Sequence, residues 1–76
     1  MRPGRFHELG ECLRTARLAA GMTQHRLAVH AGSHQSIVSK VERGEARFGR
    51  DLTICIADVL GLDPAELLRL AGHDAG

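Results

Sequence analysis

An all-α domain is what these 76 residues predict, on three observations. Apolar residues recur at helical spacing through the first twenty positions and again beyond residue 50. Residues 23–44, TQHRLAVHAGSHQSIVSKVERG, read as two short helices joined by a tight turn. The run Asp63-Pro64-Ala65-Glu66 is a helix start signal, with an acid at the N-cap, proline at the first helical position and glutamate at the third.

In chain order, residues 1–5 (MRPGR) carry proline, glycine and two arginines without periodicity and are expected to form a flexible basic arm. Contact with DNA phosphate or a minor groove is one reading of that arm, and fraying without a role is the other. A first helix from residue 6 or 7 to 20 points Phe6, Leu9, Leu13, Ala16 and Ala20 inward and is closed by Gly21, with Met22 bridging onward as a core residue. Thr23 caps a second helix whose inward positions are Leu27, Ala28 and Ala31, and Gly32 gives the backbone freedom to leave it within a few residues. A third helix runs from about 34 to 43. At roughly 100° per residue, Ser36, Ser39, Lys40 and Arg43 share one arc with Gln35 at its edge, and Ile37, Val38 and Val41 lie opposite. One face of this helix is apolar and the other is donors, acceptors and charge. Residues 45–50 (EARFGR) form a loop in which Phe48 folds back on the core. A fourth helix from 51 to about 60 buries Leu52, Ile56, Val59 and Leu60 and ends at Gly61. The fifth carries Leu67, Leu68 and Leu70, more leucine than one face of so small a domain is expected to hide. Residues 72–76 are expected to be a disordered tail.

A chain of this length makes one domain, which buries only about 60% of its unfolded surface. Phe6 and Phe48 are its only aromatics, which argues against base stacking on single-stranded nucleic acid. No run approaches the roughly 20 apolar residues of a membrane span and no signal-peptide core is evident, so a cytoplasmic protein is expected. Cys12 and Cys55 are too few and too far apart for a disulfide framework or a zinc site and read as free thiols. Net charge is only +1, but its distribution is uneven: residues 1–50 hold nine of the ten Lys and Arg against four acids, whereas residues 51–76 hold Arg69 against five. A basic part containing the two-helix motif would face phosphate, with an acidic part beyond it; ordinary solvated charge is the alternative.

The residues Thr23-Gln24, Leu27-Ala28, Ala31-Gly32, Val38-Ser39, Glu42 and Gly44 stand at fixed spacing, and their pattern resembles the helix-turn-helix of the lambda and 434 repressor-like (Cro/C1, XRE-type) DNA-binding domains. The resemblance extends from about Leu9 to Leu68. It implies a compact five-helix lambda-repressor-like domain, with the helix-turn-helix formed by helices two and three and the third helix entering the major groove. By position it implies base readout by Gln35, Ser36, Ser39 and Lys40, with Gln35 able to pair with adenine N6 and N7. Gln24, Arg26, Arg43, Arg47 and Arg50 are implied at phosphate, where they position rather than specify. Arg17 and Glu42 match an ion pair that ties the first helix to the end of the third. The chain departs from the family pattern at several positions. His25 and Arg26 stand where acids are common, Ser33 replaces a commonly apolar turn residue, His34 occupies an N-cap that favours a small hydroxyl or amide, and Thr53 is polar where apolar residues prevail.

The expected function is therefore sequence-specific binding of double-stranded DNA as a transcriptional regulator, acting as a repressor and as a homodimer on a two-fold symmetric operator. The surplus leucines Leu67, Leu68 and Leu70, with Leu62, are the expected dimer surface. The rival is an antitoxin or adaptor, a protein-interaction module whose leucine-rich end binds a protein partner. His30 and His34 are four apart but the turn at Gly32 separates them, and no metal-ligand signature is present. No metal, cofactor or catalytic residue is expected, and neither is an enzyme.

Overall fold

The computed structural model describes residues 5–73. Five helices follow one another: α1 (His7–Ala19), α2 (Gln24–Ala31), α3 (Gln35–Glu42), α4 (Arg50–Leu60) and α5 (Pro64–Leu70). Among the described residues there is no strand. α3 packs chiefly on α1 and α2, while α5 packs on α4 and α1. Their shared interior holds Leu9, Leu13, Leu27, Val38, Val41, Phe48, Ile56 and Leu67, each at most 2% exposed.

Local chemistry explains where the helices stop and start. Thr23 is the N-cap of α2, its hydroxyl accepting from the Arg26 amide at 3.0 Å. Gly32 ends α2 in the left-handed region at φ 67°, which brings the Ser33 amide onto the Ala28 carbonyl at 2.8 Å and turns the chain sharply into α3. The Asp63 carboxylate caps α5 through the Ala65 amide at 3.1 Å, with Pro64 in the first turn. His34 stands at the N-cap of α3 and makes no side-chain cap. Thr53, the polar residue at an apolar position, is fully buried because its hydroxyl donates to the Gly49 carbonyl at 2.8 Å, tying the start of α4 to the loop before it.

Several sequence expectations are corrected by the packing. Ala20 lies exposed past the end of α1, and Ile37, expected on the apolar side of α3, is 39% exposed. Leu67 and Leu68, expected at a dimer surface, are 1% and 5% exposed. They are core residues, because α5 is covered on two sides, by α4 and by α1, and buries a wide arc. Leu62 and Leu70 remain half-buried. Of the expected basic arm only Arg5 is described, with its guanidinium 5.4 Å from the Phe6 ring centroid; residues 1–4 lie outside the described residues. Of the expected tail, Gly72 and His73 are described and held. The His73 ring Nε2 is 2.8 Å from the Phe48 carbonyl, and the His73 amide donates to the Leu68 carbonyl at 2.8 Å. Residues 74–76 lie outside the described residues.

Gly10, which the apolar pattern alone does not single out, sets the approach of α1 to α3. A Cβ there would stand 2.6 Å from the Glu42 carbonyl oxygen and 2.7 Å from that of Val41. Both obstacles are backbone, so no side chain can swing aside. Gly10→Ala is expected to destabilise by about 1–3 kcal/mol through overpacking, although alanine is the better helix former by about 1 kcal/mol. A thermal melt followed by circular dichroism checks the sign; a raised melting temperature would contradict so close a crossing.

Candidate nucleic-acid interface

α3 is amphipathic in the structure as in the sequence. Val38 and Val41 are fully buried, whereas Gln35, Ser36 and Lys40 are exposed on the other side and Ser39 is half-buried. The short turn at Gly32 holds this helix against α2, and the Gly10 crossing holds it against α1, so the exposed side chains project from a fixed backbone. At the far end of α3 a buried ion pair bolts the helix to α1. Arg17 Nε lies 2.6 Å from Glu42 Oε2 and Arg17 Nη2 lies 3.0 Å from Glu42 Oε1, while Arg17 Nη1 donates to the Met22 carbonyl at 2.7 Å. The two side chains are 10% and 5% exposed. This two-pronged geometry fixes the angle between the helices as well as neutralising the charges.

The residues expected at phosphate divide into different situations. Gln24, half-buried at the start of α2, donates from Nε2 to Glu42 Oε1 at 3.1 Å and so joins the ion pair. Arg26 is exposed in the first turn of α2, along a shallow groove lined also by Thr23, His25, Val29 and His30. Arg43 is exposed and bonded to the Glu45 carboxylate and the Ser39 hydroxyl. Such exposed pairs contribute at most about 1 kcal/mol. Arg47 is exposed and also tied within the domain: its Nη1 donates to the Ala71 carbonyl at 2.8 Å, and its guanidinium lies 5.7 Å from the Phe6 ring centroid. It closes the C-terminal end of α5, satisfying a carbonyl that the helix itself leaves open. Arg50 is exposed at the first position of α4.

The sequence reading also missed the Gln24–Glu42 bond and the role of Gly10. The glycine had a signal, since a glycine inside a helical pattern is costly and marks either a break or a close approach. The bond had none, because residues 18 positions apart meet only through the turn between them.

The remaining reactive groups do not converge. Among the described residues no three His, Cys, Asp or Glu side chains are placed to share a metal ion. Cys12 and Cys55 are free thiols; burial first and the Glu66 carboxylate second push the Cys12 thiol up from its ordinary pKa. Glu66 itself is held below the usual carboxylate range by its hydrogen bond to Arg69. No helix among the described residues is long and apolar enough to cross a membrane.

Comparison with known proteins agrees with this geometry. The family model described as a helix-turn-helix domain matches residues 8–70. The crystal structure of the restriction-modification controller protein C.AhdI from Aeromonas hydrophila is similar, with 34% identity over 82% of this chain and 90% of that one and a TM-score of 0.74. Two crystal structures of the clp gene regulator ClgR from Corynebacterium glutamicum are similar as well. One has 28% identity over 95% of this chain and 77% of that one, with a TM-score of 0.77; the other has 27% identity over 99% and 97%, with a TM-score of 0.74. Comparison with curated protein sequences gives no match. With five helices in the expected order, α3 presented by a tight turn from α2, and a family match spanning nearly all the described residues, the chain belongs to the helix-turn-helix DNA-binding domains of the repressor-like, XRE type.

Proposed function

We propose that this helix-turn-helix transcription regulator binds a two-fold symmetric duplex site as a homodimer and represses by occupying it. The observation that carries the reading is the presentation of α3: Gln35, Ser36 and Lys40 are exposed together, while Val38 and Val41 beneath them are fully buried. Exposed donors and acceptors on a rigidly backed helix are what major-groove readout requires. Gln35 and Lys40 read base edges, with Ser36 and Ser39 beside them. Gln24, Arg26, Arg43 and Arg50 meet the sugar-phosphate backbone. The controller protein C.AhdI and the gene regulator ClgR, both similar in fold, support a regulatory role.

The dimensions of one copy are compatible with a dimer on adjacent turns of DNA. One copy measures 32 × 27 × 20 Å and carries a single α3. Half-sites on one face of B-DNA repeat about every 34 Å, so two copies side by side fit adjacent turns. With Leu67 and Leu68 in the core, the contact surface shifts to Ile54, 38% exposed, with Cys55, Leu62 and Pro64 lining the same groove beside it. Ile54→Lys is expected to turn a concentration-dependent dimer into a monomer in sedimentation without loss of helix content. An unchanged sedimentation profile would remove this groove from the interface.

Selection from a random duplex library tests the function itself. A two-fold symmetric site should be recovered, and log Kd for that site should change with log salt by about 0.9 per phosphate neutralised. Lys40→Ala should then cost about 1–3 kcal/mol of binding. If the loss is confined to one base pair, Lys40 reads a base; if it is uniform, with the salt slope reduced by about 1, it holds a phosphate. Absence of any enriched site would contradict sequence-specific binding.

A further inference from the structure

The buried ion pair has a third member that a purely structural role does not require. Glu42 Oε2 takes Arg17 Nε at 2.6 Å, but Oε1 takes both Arg17 Nη2 at 3.0 Å and the Gln24 side-chain nitrogen at 3.1 Å. We propose that Glu42 is a positioning residue for DNA binding, acting through Gln24: it orients the Gln24 amide so that its second N–H is offered to a phosphate oxygen. The inference rests on the DNA-binding reading above.

The chemistry of the contact assigns the amide. A carboxylate only accepts, so the end of Gln24 that faces Glu42 is its NH2 group. That group carries two N–H bonds in one plane. The contact with Glu42 uses one, and the other diverges from it. Gln24 is half-buried as the first residue of α2, where the helix end also favours an anion. An unanchored glutamine would present its carbonyl oxygen to a phosphate as readily as its nitrogen, and the two would repel. Holding the amide beforehand removes that choice and lowers the ordering cost of binding. Arg17 contributes as well. A bare carboxylate behind the amide would repel the phosphate, and pairing through two guanidinium nitrogens neutralises it. One cluster thus bolts α3 to α1 and also aims a phosphate donor at the start of α2.

A double-mutant cycle on DNA affinity tests this, with Gln24→Met, Glu42→Gln and the double variant on the duplex selected by the wild type and on a scrambled one. Gln24→Met should weaken binding about 3–10-fold, the range of one net hydrogen bond. The loss should be equal on both duplexes and leave the salt slope unchanged, because an uncharged side chain releases no counterion. In the Glu42→Gln background the same substitution should change Kd less than about 2-fold, since the amide is no longer aimed. An equal loss in both backgrounds would overturn the inference while leaving the DNA-binding reading intact; failure of the wild type to bind any duplex would instead strike at that reading. Should Glu42→Gln lack a cooperative melt, the Gln24 side-chain amide resonances of the wild type decide. Two well-separated protons are expected in the free protein, the second shifting on addition of the selected duplex, and no shift would overturn the proposal.

Discussion

Replacing Arg17 with methionine is expected to lower folding stability by about 3–5 kcal/mol, the cost of leaving one partner of a buried ion pair alone. The Glu42 side chain is only 5% exposed, so its carboxylate has little water to turn to once both guanidinium bonds are gone. The Met22 carbonyl loses its 2.7 Å donor in the same step. For a domain of this size each kcal/mol shifts the melting temperature by about 4–8 °C, so a fall of roughly 12–40 °C is expected in a calorimetric scan. Arg17→Met with Glu42→Leu should recover much of it, because a well-packed apolar pair replaces a buried ion pair at little cost. The paired variant should nevertheless bind DNA less well than the wild type, since Gln24 has lost its anchor. A loss below about 1 kcal/mol for Arg17→Met alone would mean that the pair behaves as an exposed one.

Leu68→Asp is expected to unfold the domain. Leu68 is 5% exposed on α5, beside the fully buried Ala71 and next to Leu67. The substitution removes a core side chain, worth about 2–5 kcal/mol when truncated, and adds a carboxylate that must be desolvated or protonated there. Together these approach the whole stability of a small domain, which lies near the lower end of the usual range of about 5–15 kcal/mol. Circular dichroism at 222 nm should show most of the helical signal lost at 25 °C. Retention of helix with loss of dimer alone would restore Leu68 to the surface that the sequence suggested.

That difference shows where the sequence was readable and where it was not. Helix ends are local chemistry, and Thr23, Gly32 and Asp63-Pro64 each act within a few residues of themselves, so their turns were legible. The apolar underside of α3 was legible for Val38 and Val41 from periodicity, but Ile37 lies at the edge of the arc, where only the neighbouring helices decide burial. Leu67 and Leu68 were misread for the same reason: how much of α5 is covered depends on α1 and α4, which no count along α5 reveals. The bond from Arg47 to the Ala71 carbonyl was not legible, because its partner lies 24 residues away. The pairing of Arg17 with Glu42 came from family resemblance, and the further reach of Glu42 to Gln24 emerged only from three-dimensional proximity.

The exposed face of α3 as the reader of sequence is tested by one comparison. The selected duplex and a panel with each base pair of one half-site replaced in turn are titrated with the wild type and with Gln35→Ala at a single salt concentration. The expected result is that Gln35→Ala loses its discrimination at one adenine-containing position, by about 1–3 kcal/mol, while preferences elsewhere in the half-site are kept. A uniform loss across the panel, or none, would mean that Gln35 does not face a base and that α3 does not dock as described.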